Sequence, residues 1–269
     1  MAFLLDRIKR AFSNSALLYE NFAGLQKEIG RELVEKILDK ESCSRILDVG
    51  MGTGWLTHRL SLFFPEAQVV GLDFARGMID VASQRYASFQ IVQADASALP
   101  FKNEIFDLIL SNLVYQWVEN LEEAFKKNKA CLKTDGILCM TLFGQETLQE
   151  LFICLKETKG QDKEKMVSLH HLPRPEDVEA LLKRSGFDSV DIVQERIQIP
   201  FVNMLELLRW LKRVGAHIHP QGLKVGRRHL LRAKLYYDEH FRHRMGIYAT
   251  FAVIWVRAVK RKEGLVGTT

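Results

Sequence analysis

The residues best placed to do chemistry are a run of glycines and a series of polar groups spaced along the chain after it. Gly50, Gly52 and Gly54 stand in Ile46-Leu47-Asp48-Val49-Gly50-Met51-Gly52-Thr53-Gly54, where an apolar run ends and a helical pattern opens at Trp55. Glycines at such a turn permit positive φ and let a ligand approach the backbone closely. Their spacing is G-x-G-x-G, not the G-x-G-x-x-G of dinucleotide binders. Taken alone, it fits a tight strand-to-helix turn equally well. Asp73 closes Val70-Gly71-Leu72-Asp73. A carboxylate there, about twenty residues after the glycines, can accept hydrogen bonds from both hydroxyls of a ribose, or cap the helix that follows. Asp95, in Gln93-Ala94-Asp95-Ala96, can accept from an adenine amino group, with Phe74 and Met78 packed on the ring. Ser111-Asn112-Leu113 supplies a fourth polar strand end.

These groups share one edge only if the segments before them are parallel strands. The pattern supports this. Short apolar runs at Arg45–Val49, 68–72, 89–92, 106–111 and 136–143 alternate with helical patterns at 55–64, 75–86 and 121–132. Such alternation implies crossover connections and a parallel sheet covered on both faces. Right-handed crossovers then give a doubly wound sheet, whose ligands bind at the carboxyl ends of the strands. Helices are expected near 145–158 and 175–185, the second opening at Pro175 with Glu176 and Asp177. Two long strands, 190–201 and 248–259, complete a seven-stranded, mostly parallel sheet. Residues 1–40 read as an N-terminal helical cap. Residues 203–245 read as a helical insertion between the last two strands, with helices at 203–214 and 226–240, too long for an ordinary loop. The whole, 1–269, is expected to be a single domain.

Composition narrows the class. Hydrophobic residues are 47% and charged residues 26% of the 269, ordinary for a globular protein that needs no disulfides. Cys43, Cys131, Cys139 and Cys154 form no CxxC pair and no metal spacing, so buried thiols in a reducing cytosol are expected. The start, MAFLLDRIKRAF, is too charged and too short in its apolar part for a signal peptide. No apolar run approaches the roughly 20 residues of a membrane span. A cytoplasmic protein with no membrane partner is expected. The +5 net charge admits nucleic acid. Against that, no interleaved aromatic and basic stacking surface is visible.

As a group, LDVGMGTG, GLDFA, ADASALPF, FDLILSNLVYQWV and LKTDGILCMTLF resemble the class I S-adenosylmethionine (SAM)-dependent methyltransferases, over roughly residues 45–143. That resemblance implies a Rossmann-like fold with SAM as cofactor. Gly50, Gly52 and Gly54 would face its methionine part, Asp73 its ribose, and Asp95 and Ala96 its adenine. Asp48, Trp55, Phe74, Met78, Asn112, Leu113 and Gln116 would complete the cofactor site. The flanks narrow the likeness further. Ala11 to Ala16 with Tyr19-Glu20, Ser111-Asn112-Leu113-Val114-Tyr115-Gln116-Trp117, Thr141 to Gly144, and Leu211-Lys212-Arg213-Val214-Gly215-Ala216-His217 resemble the malonyl-acyl-carrier-protein O-methyltransferase (BioC) family of biotin synthesis. Two departures could alter pocket shape: Met51, where that family most often has Cys, and Tyr115, where it has a small residue.

The chemistry implied by that resemblance fits the residues. A malonyl carboxylate is ionised at neutral pH, because carboxyl pKa values lie near 4. It needs no general base, so the absence of an evident catalytic dyad is expected. Carboxylate and sulfonium partly neutralise each other in the transition state, which a dry pocket favours. The rest is alignment. Tyr19, on the N-terminal helix, is the first candidate to orient the carboxylate; Lys212 and Arg213 are the basic candidates. Gln116 and Trp117 are candidates to line the acceptor pocket, Trp117 being as well suited to the core. Residues 203–245 carry ten basic residues against three acidic, a balance of +7 beside +5 for the whole chain. Five of the eight histidines also lie there, at 217, 219, 229, 240 and 243, without diagnostic metal spacing. A basic lid would steer malonyl-acyl carrier protein, or malonyl-coenzyme A, to the site. A monomer is expected. Two other readings share the cofactor core: a methyltransferase for small molecules such as quinones, with a more apolar pocket, and a SAM-binding assembly factor without methyl transfer.

Overall fold

The computed structural model describes residues 2–36, 43–159, 172–216 and 225–261. The expected stretches that fall at 37–42, 217–224 and 262–269, including His217, His219 and Lys224, lie outside them.

Strands β1 (Arg45–Val49), β2 (Gln68–Asp73), β3 (Gln90–Gln93), β4 (Phe106–Asn112) and β5 (Leu132–Phe143) pair in parallel. They run in the order β3-β2-β1-β4-β5, continued by β8 (Gly246–Val259) and then β6 (Ser189–Phe201) at the edge. β8 lies antiparallel to both neighbours. The order reverses between β1 and β4, so that pair is the switch point where a crevice opens at the carboxyl ends. Ser111 Oγ donates to the Val49 carbonyl at 2.9 Å and ties the two strand ends together.

The sheet differs from the seven strands expected in one respect. A two-residue strand, β7 (Arg242–His243), pairs with the start of β8. Two residues carry no periodicity, so nothing in the sequence marks it. β5 also begins four residues earlier than expected, because Leu132 pairs with Phe106 across a register shift.

Helices α3 (Trp55–Phe63), α4 (Arg76–Arg85), α5 (Leu121–Cys131), α6 (Gln149–Glu157) and α7 (Pro175–Arg184) connect the strands. The face built on Leu47, Val49, Ile109, Leu138 and Met140 packs with α5 and α7 through Ala124, Phe125, Val178 and Leu182. The other face packs Ile46, Leu108 and Leu110 with α3 and with α2 (Gly24–Glu35). The four cysteines are buried thiols. Among the described residues no helix is long and apolar enough to cross a membrane.

One helical layer reaches the crevice and a second braces it. The N-terminal stretch breaks at Ala23, so α1 (Ala2–Phe22) leaves α2 and lies across α4. The insertion supplies α8 (Met204–Arg213) and α9 (Arg227–His240). It has a core of its own: Met204, Leu207, Ala233 and Tyr237 pack with Cys154 of α6 and Phe251 of β8. It also holds the end of α1, since Trp210 Nε1 donates to the Phe22 carbonyl at 2.9 Å and the Arg213 guanidinium sits 4.5 Å from the Phe22 ring centroid.

The contact between α1 and α4 is tight at one point. An added Cβ on Gly77 would lie 2.4 Å from the Ser13 carbonyl oxygen and 2.8 Å from its Cα. Gly→Ala inside a helix ordinarily stabilises it by about 1 kcal/mol. Here backbone stands in the way, and overpacking costs about 1–3 kcal/mol. The Gly77→Ala variant is therefore expected to displace α1 while the sheet stays intact. Proteolysis within α1 should accelerate, and affinity for any ligand held beneath it should fall about tenfold. Unchanged proteolysis together with unchanged affinity would show that α1 is not seated as described.

Candidate active site

A crevice opens at the β1–β4 switch point, where ligands bind in open α/β sheets. Its floor is Gly50, Gly52, Leu72 and Asp73. Phe74, Met78, Ala94 and Ala96 form one wall, and Asn112, Leu113, Val114 and Trp117 another. α1 closes it with Phe12 and Tyr19. Phe12 meets Trp117 edge-on at 5.6 Å between centroids, joining cap to wall.

Asp73 is the anchor of the floor. It is 6% exposed, its Oδ2 accepts from Gly52 N at 2.9 Å, and its Oδ1 accepts from Ala75 N at 2.8 Å. The carboxylate thus holds the glycine turn and starts α4 at once. Burial pushes its pKa up to about 6 against those bonds. Gly52 has φ +56°, and a Cβ built on it would meet nothing within 4 Å, so this turn faces open space. Tyr19 is half-buried; burial, and then the charges of Asp73 and Glu20, drive its phenol well above the ordinary value. It remains a protonated donor at any physiological pH. Next to it, Glu20 ties α1 to the floor by accepting from Thr53 Oγ1, and pairs with Lys27 at 2.5 Å.

Several expected residues support this site without lining it. Asp48 is 1% exposed and accepts from Thr57 Oγ1 at 2.6 Å beneath the turn. Gly54 begins α3 and packs against Phe89 and Ala82, with no room for a Cβ. Trp55 packs beside Leu56 and Leu60, with Lys27 and Arg59 over its ring. Asp95 lies between the lining residues Ala94 and Ala96, with its Oδ1 held by Ser97. Gln116 donates to the Leu113 carbonyl at 2.8 Å behind the wall. Of the two departures from the family pattern, Tyr115 is fully buried and donates to Asn128, and Met51 packs over Gly71; neither reaches the cavity.

One expectation is corrected. Lys212 and Arg213 do not reach this crevice. They lie at the exposed end of α8 and line a separate cleft with Arg7, Arg10, Ala11, Asn14, Ser15 and Leu18 of α1. Conversely, Phe12, Leu72, Ala94 and Val114 line the crevice without having been singled out. Leu113 adopts φ +58°, where its N–H is held by the Thr141 carbonyl and Oγ1. A left-handed leucine is uncommon and marks a place where the wall overrides local preference.

The parallel core with its antiparallel β8, the glycine turn and the Asp73 anchor at the switch point define a class I SAM-dependent methyltransferase. SAM is the cofactor, and an open glycine turn with a buried acceptor at the next strand end fits it. Residues 47–140 match the family model described as methyltransferase domain. The chain is 32% identical to a malonyl-[acyl-carrier protein] O-methyltransferase of Geobacter sulfurreducens, over 94% of this chain and 98% of that protein. It is 34% identical to one of Hahella chejuensis, over 92% and 88%. Among solved structures, a phosphoethanolamine N-methyltransferase of Haemonchus contortus in complex with S-adenosyl-L-methionine aligns with TM-score 0.59 at 20% identity, over 93% of this chain and 57% of that one. The chain belongs to the malonyl-[acyl-carrier protein] O-methyltransferase family.

Proposed function

We propose that this chain methylates the free carboxylate of malonyl-acyl carrier protein, giving the malonyl methyl ester used at the pimeloyl stage of biotin synthesis in the cytoplasm. The observation that carries the reading is that, among the described residues, those lining the crevice offer no free general base. Among the described residues its titratable lining groups are Asp73, engaged by two backbone N–H groups, and Tyr19, held protonated. A hydroxyl or amine acceptor has a proton to lose; a carboxylate has none. SAM supplies an electrophilic methyl on a sulfonium. A carboxylate lone pair forms the new O–CH3 bond as the S–CH3 bond breaks, so an ester and S-adenosylhomocysteine leave and no proton moves. The chain then has to bind, orient and exclude water. Asp73 holds the ribose, Gly50 and Gly52 admit the methionine part, and Ala94 and Ala96 with Phe74 and Met78 enclose the adenine near Asp95. Tyr19 donates its O–H to the acceptor carboxylate. The carrier protein approaches the basic lid, where Arg227, Arg228 and Arg232 are exposed on α9, while Arg209 and Lys234 pair with Glu206 and Asp238.

The test is methyl transfer to malonyl, succinyl and acetyl thioesters on carrier protein and on coenzyme A. Malonyl esters should form, acetyl thioesters should be inert, and the single-turnover rate should show no basic limb between about pH 6 and 8. Methylation of prenylated rings in preference to malonyl thioesters would overturn the reading.

Burial also raises Asp48, to about 7, with Asp73 adding to the shift. Both acids bind protons more tightly folded than unfolded, so without cofactor these groups stabilise the fold at low pH, and that stability is lost progressively as pH rises from about 4 to about 7. A cation and ribose donors at Asp73 favour its ionised form. SAM binding near pH 6 should therefore expel protons, and affinity should fall by up to about tenfold per pH unit below Asp73's pKa. Calorimetry in buffers of different ionisation enthalpy reads this directly. A heat independent of the buffer would show that Asp73 does not meet the cofactor.

A further inference from the structure

The cleft between α1 and α8 is not part of the methyl-transfer site. We infer that it binds the phosphodiester from which a pantetheine thioester hangs, resting on the proposal that the acceptor is such a thioester. Among the described residues its lining holds Arg7 and Arg10 from α1 and Lys212 and Arg213 from α8, with no carboxylate. Arg10, Lys212 and Arg213 are exposed, and Arg7 is half-buried. A bound anion would draw on the positive potential these groups share. Guanidinium groups suit phosphate because their planar fork can donate two parallel bonds. Asn14 and Ser15 add neutral polar groups, and Ala11 with Leu18 an apolar margin, as an arm with amide and methyl groups requires.

The placement relative to the crevice supports the same ligand. The two cavities share one stretch of α1: Phe12 and Tyr19 line the crevice, while Ala11, Asn14, Ser15 and Leu18 line the cleft. Gly215, just after α8, fits against both sides, since a Cβ there would lie 2.9 Å from the Phe12 ring and 3.0 Å from Ser15 Oγ. Along the α1 axis, Arg7 and Arg10 stand about 14–18 Å from Tyr19 at 1.5 Å per residue. A phosphate held at the Arg7 and Arg10 end of the cleft is thus set back from the reacting carboxylate by the length of an extended arm, as a pantetheine chain demands, while Arg213, on the Phe22 ring, lies nearer the crevice.

The cleft is tested with the protein loaded with S-adenosylhomocysteine, using 4′-phosphopantetheine and pantetheine as probes in calorimetry. The phosphate should tighten binding at least about tenfold over pantetheine, and most of that gain should vanish at high salt. The Arg10→Gln/Lys212→Gln variant should lose the gain, and Arg10→Lys should keep part of it. Equal affinity for the two probes in the wild type, or a gain that survives the double substitution, would overturn the assignment. Kinetics then separate the sources of the phosphate. In the double variant, KM should rise for malonyl-carrier protein and for malonyl-coenzyme A alike if the phosphodiester is read, and for the carrier protein alone if acidic protein surface is read instead, which would overturn the phosphate assignment. If no malonyl thioester were methylated while 4′-phosphopantetheine still bound at the cleft, the proposed reaction would fall and the anion site would stand.

Discussion

Asp73→Ala is expected to lower affinity for SAM by about two to four orders of magnitude while the protein stays folded. The carboxylate is nearly closed to solvent, and its two oxygens hold Gly52 N and Ala75 N. Charge-assisted bonds contribute about 1.5–3 kcal/mol each, so loss of a pair to the cofactor removes about 3–6 kcal/mol of binding, at 1.4 kcal/mol per factor of ten. The effect on folding runs the other way in part. Removing the carboxylate strands two N–H groups, yet it also removes a buried charge and the repulsion it exerts on Asp48. Gly52 lines the crevice, so water can reach its N–H. The melting temperature should therefore move by only a few degrees. Calorimetry with S-adenosylhomocysteine, beside circular dichroism, separates the two effects. Asp73→Asn keeps one acceptor and should fall between wild type and alanine. An alanine variant that binds within about twofold of wild type would take Asp73 out of the cofactor site.

Asp73 was legible in the sequence because its position follows from chain topology alone. A polar residue at the carboxyl end of a buried parallel strand faces the crevice whatever the helices do. The same logic reached Gly50, Gly52, Asn112 and Ala96, all of which line it. It overreached at Asp48 and Gly54, each two residues from a glycine that lines the cavity, while they themselves pack beneath the turn. What periodicity could not supply was the register of one helix against another far along the chain. Phe12 and Trp117 are more than a hundred residues apart, and only packing brings them together at 5.6 Å. Lys212 and Arg213 failed for the same reason. Their spacing placed them on the insertion, but the turn of α8 about its axis, fixed by Leu207 and Leu211 in the core, sends them to the far side of α1. Leu113 is a case of another kind: nothing in its residue type hints at positive φ, and the Thr141 bonds that hold it come from β5.

Two alanine substitutions in the glycine turn should separate what the turn does for the fold from what it does for the cofactor. Gly50 and Gly52 both have positive φ, at +76° and +56°, so each substitution carries a left-handed strain of about 1–2 kcal/mol. Their surroundings differ. A Cβ on Gly50 would lie 2.2 Å from Val114 Cγ2 and 2.9 Å from Cγ1, in the wall that carries the β4 end. Overpacking adds about 1–3 kcal/mol there, and the sum, about 2–5 kcal/mol, should lower the melting temperature by roughly 5–15 °C in a chain of this size. A Cβ on Gly52 meets nothing, so Gly52→Ala should pay only the strain in stability. Its methyl, however, projects into the space the cofactor needs, and affinity for S-adenosylhomocysteine should fall about a hundredfold or more. Val114→Ala in the Gly50→Ala background removes the clashing methyls and should restore a few degrees of the loss, the left-handed strain remaining. In the Gly52→Ala background the same change should restore neither stability nor binding. Equal thermal losses in the two single variants would mean that Val114 yields without cost. Full affinity in Gly52→Ala would mean that the open side of this turn is not where the cofactor lies.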